Sequence, residues 1–325
     1  MNLTDSIKDP SSPVRAFLDE HFKIGRDKVT RRYAAQAPPI ALDGSKDANA
    51  GTVGTAADWL LRFLISPQPD LRLAAVGASY CQKVGMNLQP ALAEIMKILG
   101  VPGPKEHEGR GLPVAGPQAS GVDSVSLAKA CWALALLTEV RRAGLRVLER
   151  GPLAQFRGRT VSGAELLALA SPAAIDQLVR LRGVFETSLL PQLVQQKGPW
   201  SIGPTFVGSK LLSADADLII GGFLFELKVR TRHELQVQDL FQLVGYALLD
   251  FDDRYRLTDV AIFSARYAHL TKWHLSDLLA ELAGRQVDLG AVREEFRQVL
   301  LRLPRPSSPT VAPSSAGDGS IRPGG

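Results

Sequence analysis

Residues 214–228 read Ala-Asp-Ala-Asp-Leu-Ile-Ile-Gly-Gly-Phe-Leu-Phe-Glu-Leu-Lys, two short apolar runs parted by Gly221 and Gly222. No other stretch restricts the fold so tightly. A Gly-Gly pair between strand-like runs predicts a two-residue hairpin, and a type I′ turn there needs φ > 0 at both glycines. The register follows from that turn. Ile220 faces Phe223, Leu218 faces Phe225 and Ala216 faces Leu227, giving one apolar face for a helix to cover. Period-two alternation sets Asp217 opposite Glu226, and Asp215 opposite Lys228, on the other face.

Directly opposed side chains on a sheet have Cβ atoms about 4.5–5.5 Å apart, and like charges so placed destabilise the pair. Two carboxylates there need a shared proton, a basic neighbour or a bound cation. Oxygen donors of this kind suit Mg²⁺ or Mn²⁺, which keep several waters and take one or two protein carboxylates plus a substrate phosphate. Lys228, on the same face, can orient a water or steady the charge of a pentavalent phosphorus transition state. The plainer alternative is a solvent-exposed strand face crossed by an Asp215–Lys228 salt bridge.

The segment that follows adds a second constraint. Thr231-Arg-His-Glu234 has capping-box spacing and predicts a helix running through Asp250. On it Gln238, Gln242 and Tyr246 fall at i, i+4 and i+8, while Leu240, Phe241, Leu243, Val244, Ala247 and Leu248 form the packing face. Glutamine and tyrosine on a half-buried stripe need polar partners. The carboxylate face of the hairpin, or a phosphate held there, would supply them; ordinary polar residues at a helix edge are the alternative.

Taken together, Asp217, Glu226-Leu227-Lys228 and Gln242-Leu-Val-Gly-Tyr246 resemble the core of the PD-(D/E)XK nuclease superfamily, and the last motif is similar to that of its RecB-like exonuclease members. Ala216 stands where the proline that names the superfamily would be. The resemblance spans roughly residues 170–265. It implies an α/β fold with a restriction-endonuclease-like mixed β-sheet core flanked by helices. It also implies hydrolysis of DNA phosphodiester bonds by metal-activated water. Asp217 and Glu226, joined by the Leu227 carbonyl, would hold Mg²⁺ or Mn²⁺, with Asp215 as a further candidate ligand. Lys228 would position the nucleophile, and Gln242 and Tyr246 would brace the site or contact the strand. A further acidic residue is expected on the first core helix, with Glu186 the first candidate and Asp176 the second. DNA is preferred to RNA as the expected nucleic-acid partner. A nuclease-like module that binds or assembles without cutting, and an RNA-cutting enzyme, are the alternatives.

The rest of the chain is less specific. Residues 1–50 are polar, with the basic cluster Lys23, Arg26, Lys28, Arg31 and Arg32, either a phosphate grip or a solvated helix face. Helical periodicity marks residues 56–65, 69–79, 90–99 and 124–148, with a Gly/Pro-rich loop at 100–121. Ser171-Pro172 opens a helix to about residue 196, bent near Pro191. Strand-like runs at 205–211, 214–220, 223–229 and 258–265 precede helices near 276–283 and 289–301. The expected organisation is a mainly α-helical region at 1–165 that binds substrate or a protein partner, a nuclease-like domain at 166–302 and a disordered tail at 303–325. Two cysteines, Cys81 and Cys131, in apolar surroundings suggest inert buried thiols. Trp59, Trp132 and Tyr80 read as core. His269 and His274 lack zinc-ligand spacing, Gly109-Arg-Gly111 and Gly51-Thr-Val-Gly54 lack the lysine of a P-loop, and no GxSxG or HExxH occurs. No nucleotide cofactor is expected. The longest apolar run is too short for a bilayer, so no membrane partner and a cytoplasmic location are expected. A net charge of +5 leans towards an anionic partner.

Overall fold

A computed structural model describes residues 2–44, 48–102, 113–114, 116–117 and 121–303. Most of the expected 100–121 loop and the tail from 304 onwards lie outside the described residues. The molecule is α/β, with a helical first half and a mixed sheet in the second. Six strands lie in the order β1 (Pro113–Val114), β2 (Trp200–Ile202), β3 (Leu218–Ile220), β4 (Phe223–Lys228), β5 (Asp259–Ser264) and β6 (His269–His274). Only β4 and β5 run parallel, because the Val237–Leu249 helix makes the crossover between them; every other pair is antiparallel.

The hairpin register is the expected one, Leu218 facing Phe225 and Ile220 facing Phe223. Its turn is different. Only Gly221 takes a left-handed φ, +56°, so the loop has the single positive centre of a type II′ turn rather than the two of type I′. Both are two-residue loops, which is why the register is unaffected.

Both faces of the sheet are buried. Leu218, Ile220, Phe223, Phe225 and Phe263 pack beneath the Ala50–Ile65, Ser124–Ala143 and Pro172–Val184 helices. On the other face Ile219, Leu224, Val260 and Ile262 meet the Val237–Leu249, Leu275–Ala283 and Leu289–Leu301 helices. Ala216, expected beside Leu218, belongs to this second core; regular alternation ends where β3 ends, at Leu218.

The polar first segment, for which no particular helix bounds were expected, holds three helices among its described residues 2–44, Leu3–Lys8, Pro13–Phe22 and Arg26–Ala35. Their narrow apolar stripes, among them Leu3, Ile7, Val14, Leu18, Phe22 and Val29, are buried in the second core. Gly245 on the Val237–Leu249 helix is part of the reason: a Cβ there would come within 2.9 Å of the Leu3 methyls.

Several boundaries depart from the sequence expectations. Residues 205–211 are not a strand: Thr205 makes one bridge to Asp215, and Val207–Lys210 is a 3₁₀ turn. The helix expected from 231 starts at Val237, because Asp239, not Glu234, accepts the N-terminal hydrogen bond, from Gln236 N–H at 2.9 Å. The 171–196 helix breaks into Pro172–Val184, a π turn at Phe185–Leu189 and Leu190–Leu193. Pro191, which has no N–H to give, lies just past the turn. Strands β2 and β6 had no counterpart in the sequence reading.

Candidate functional site

Glu226 and Lys228 lie on the β4 face that looks at the Val237–Leu249 helix, and a chain of hydrogen bonds ties strand to helix. Lys228 Nζ donates to Glu226 Oε1 at 3.0 Å and to Gln242 Oε1 at 2.9 Å, and sits 3.4 Å from Asp239 Oδ1. Gln242 Nε2 donates to the Tyr246 hydroxyl at 2.6 Å, which donates to the Asp215 carbonyl at 2.9 Å. This accounts for the spacing of the glutamine and tyrosine. Four residues along a helix bring their side chains together, one towards the lysine and the other towards the incoming strand.

Asp217 is not a ladder partner of Glu226. The β3–β4 ladder stops at Leu218, and Asp217 Oδ2 accepts the Leu227 N–H at 2.7 Å where a strand carbonyl would have been. Asp215 is also placed differently from expectation: its carboxylate is 3.8 Å from Arg142, and it does not pair with Lys228. Glu186 accepts from Arg182 at 2.8 Å and is outside the lining of the cleft. Asp176, opposite Arg180 at 3.7 Å, is largely exposed. A helix acid that does reach the cleft, besides Asp239 on Val237–Leu249, is Asp58 on Ala50–Ile65. Its sequence signal was present: Asp58 and Arg62 are the only charged residues of that helix. Arg62, buried, donates Nε to both Asp58 oxygens at 3.0 Å.

Asp58, Asp217, Glu226, Lys228 and Gln242 line one cleft of about 500 Å³. An adjoining cavity of about 600 Å³ shares Asp217, Glu226, Gln242 and Arg142, and adds Asp215 and Tyr246. The carboxylates do not stand alone, and Lys8 and Arg142 also line the cleft. Asp58, Asp217, Glu226 and Asp239 stand against Arg62, Lys228 and Arg230, the last paired with Asp239 through two hydrogen bonds. Burial, then the nearby Glu226 and Asp58, push the Asp217 carboxyl well above the usual range; the Leu227 N–H opposes them. Burial also raises Glu226, against the pull of Lys228. Burial pulls the Lys228 ammonium down, but Glu226, Asp239 and Asp217 outweigh it and hold it above an ordinary lysine. Burial raises Tyr246 well above a free phenol, and the nearby carboxylates add to it.

Two buried polar atoms of this cluster have no hydrogen-bond partner, Arg62 Nη2 and Glu226 Oε2. A carboxylate oxygen so placed is costly unless something positive meets it. The donor set is all oxygen, as Mg²⁺ or Mn²⁺ requires. Among the described residues, no three Asp, Glu, His or Cys side chains converge into a ready-made cage. A cation here would rest on Asp217 and Glu226, with water and phosphate completing its shell. These residues fit such an ion.

Elsewhere, the basic cluster turns to another helix. Arg32 is bidentate to Glu281 at 2.9 and 2.6 Å and Lys28 is 3.5 Å from it; none of the cluster lines the cleft. Cys81 and Cys131 are fully buried, the first thiol raised to about 11 by desolvation and the second raised further. Trp59 and Trp132 are core, whereas Tyr80 is half-buried, with the Lys83 ammonium 5.0 Å from its ring centre. His274 bonds Ser276, and the His269 ring lies 5.4 Å from that of His233. Among the described residues no helix is long and apolar enough to cross a membrane. Comparison with known protein families, curated proteins and solved structures returns no match.

Proposed function

We propose that this chain is a divalent-metal-dependent nuclease of the PD-(D/E)XK superfamily, RecB-like in type, which hydrolyses DNA phosphodiester bonds on a restriction-endonuclease-like sheet. The observation that carries the reading is the meeting in one cleft of Asp58, Asp217 and Glu226, with an unpartnered Glu226 oxygen, beside a lysine held in place by three neighbours. A bound Mg²⁺ or Mn²⁺ would neutralise the scissile phosphate and make a water acidic enough to attack it. The protein's own part is positional. Asp217 keeps one oxygen on Leu227 N–H, so its other oxygen is the one available to an ion. Glu226 divides likewise, Oε1 holding Lys228 and Oε2 remaining free. Lys228, kept protonated by its carboxylates, lies close enough to orient the attacking water and to offset charge gathering on phosphorus. Gln242 and Tyr246 brace the lysine and reach no further than the Asp215 carbonyl.

The test is cleavage of circular and linear DNA in Mg²⁺ or Mn²⁺ by the wild type and by Lys228→Ala. The proposal expects metal-dependent products that Lys228→Ala reduces by about 10²-fold or more. No cleavage of either substrate, or equal cleavage by both proteins, would overturn it. A binding or assembly module without hydrolysis would then be the better reading.

A further inference from the structure

The Ala50–Ile65 helix carries two glycines, Gly51 and Gly54. Gly51 lies in the first turn, where its N–H bonds the Asn49 cap at 2.9 Å. Gly54 has no such account. It is interior to the helix, its φ is not left-handed, and a Cβ built on it would meet nothing within 4 Å. Glycine there weakens the helix relative to alanine and relieves no clash. What Gly54 does face is the cleft, one turn before Asp58. Along that face Ala50, Gly51, Gly54 and Thr55 leave a smooth wall with no side chain larger than threonine until the acid is reached. Thr4, Ile7 and Lys8 of the Leu3–Lys8 helix also line the cleft, and Lys8 stands exposed there with no ion-pair partner among the described residues.

The depth and size of the cleft restrict what can use this wall. Glu226 is 4% exposed, and its unpartnered oxygen belongs to the same cleft. A volume of about 500 Å³ is that of a small-molecule pocket, enough for a nucleotide or two. We infer that Gly54 is a specificity-determining residue: it keeps open a track along the Ala50–Ile65 helix that admits a single nucleic-acid strand, backbone first, to Asp58, Asp217 and Glu226, and excludes duplex. The inference rests on the nuclease reading for what happens at the end of the track, but the track itself is a binding claim.

The experiment compares the full-length wild type with Gly54→Leu and Gly54→Ala, with Thr55→Leu as a second obstruction one residue on. Three readouts are taken: anisotropy of a labelled phosphorothioate oligo(dT), which resists hydrolysis, and of a blunt duplex, both in Mg²⁺; calorimetric Mn²⁺ binding; and cleavage of ordinary oligo(dT). Gly54→Leu is expected to lower oligo(dT) affinity by about tenfold or more and cleavage by about 10²-fold. Its Mn²⁺ binding and melting temperature should stay at or above wild type, with Gly54→Ala intermediate in affinity. The wild type should bind the duplex at least about tenfold more weakly than oligo(dT). Undiminished oligo(dT) binding by folded Gly54→Leu and Thr55→Leu, or equal binding of duplex and single strand by the wild type, overturns the inference. A wild type that binds oligo(dT) in a Gly54-dependent way but cleaves nothing supports the track and sinks the nuclease reading instead.

Discussion

Asp217 shows how far a single residue can be read. Its presence on the polar face of the hairpin follows from alternation alone, and so does its conflict with Glu226. The way the conflict is arranged does not, because it depends on a backbone N–H that becomes available only where the ladder stops. The raised pKa has a stability consequence with a definite sign. The folded protein prefers protonated Asp217, so this group favours folding below the ordinary carboxylate pKa, and the advantage is lost as pH rises through the raised value. The Asp217 contribution to metal-free stability should therefore fall from about pH 4 upwards, so Asp217→Asn should gain on wild type over that range and melt above it at pH 8. Added Mg²⁺ should raise the wild-type melting temperature at pH 8 and leave Asp217→Asn unmoved. A wild type and variant with parallel melting curves across that range would contradict this. Asp58 was missed because it lies outside the stretch of resemblance and in a helix that reads as plain core; Asp58→Asn should lower kcat/KM by about 10²-fold. Arg62, whose Nη2 is buried without a partner, holds Asp58 in place. Arg62→Met should consequently raise the Mg²⁺ concentration needed for half-maximal cleavage, measured by metal titration of the rate.

At the scale of elements, the hairpin and the Val237–Leu249 helix were legible because each carries its own signal, a Gly-Gly turn in one and a clean apolar stripe in the other. The turn type was not, since both hairpin geometries accept two glycines. The structure separates their roles. Gly221 is left-handed, and a Cβ on it would run into the Lys197 carbonyl. Gly221→Ala should thus destabilise by about 2 kcal/mol, read from denaturant midpoints. The strand β6 escaped notice for lack of a bounding turn signal and β2 for shortness, and the first three helices because two to four buried side chains apiece are submerged among polar and charged residues. Tyr246→Phe removes the link between Gln242 and the Asp215 carbonyl, so that Gln242 Nε2 and that carbonyl lose this partner while Gln242 Oε1 keeps Lys228. A loss of about 1–2 kcal/mol in denaturation is expected, with a smaller effect on rate than Lys228→Ala. The reverse order would make Tyr246 a substrate-contacting group.

The molecule as a whole is less divisible than its composition suggests. One face of the sheet is roofed by helices from before residue 165 together with Pro172–Val184, and the other is shared between the C-terminal helices and the first 35 residues. Nothing in local periodicity could show this, because which element covers a sheet is decided by long-range packing. A fragment spanning residues 166–302 would leave Leu218, Phe223, Phe225 and Phe263 with only the Pro172–Val184 segment to cover them, and should show no cooperative unfolding transition by circular dichroism. The site depends on the same cross-chain packing, since Asp58 and the strand acids meet only when both halves are in place. The central claim is that Asp217 and Glu226, the latter with one oxygen buried without a partner, hold a divalent cation. Calorimetric titration of Mn²⁺ into the full-length protein at pH 8, beside Glu226→Gln, tests it directly. The account predicts saturable binding of one or two ions to the wild type and none to Glu226→Gln; no binding to the wild type, or the same isotherm for both, would contradict it.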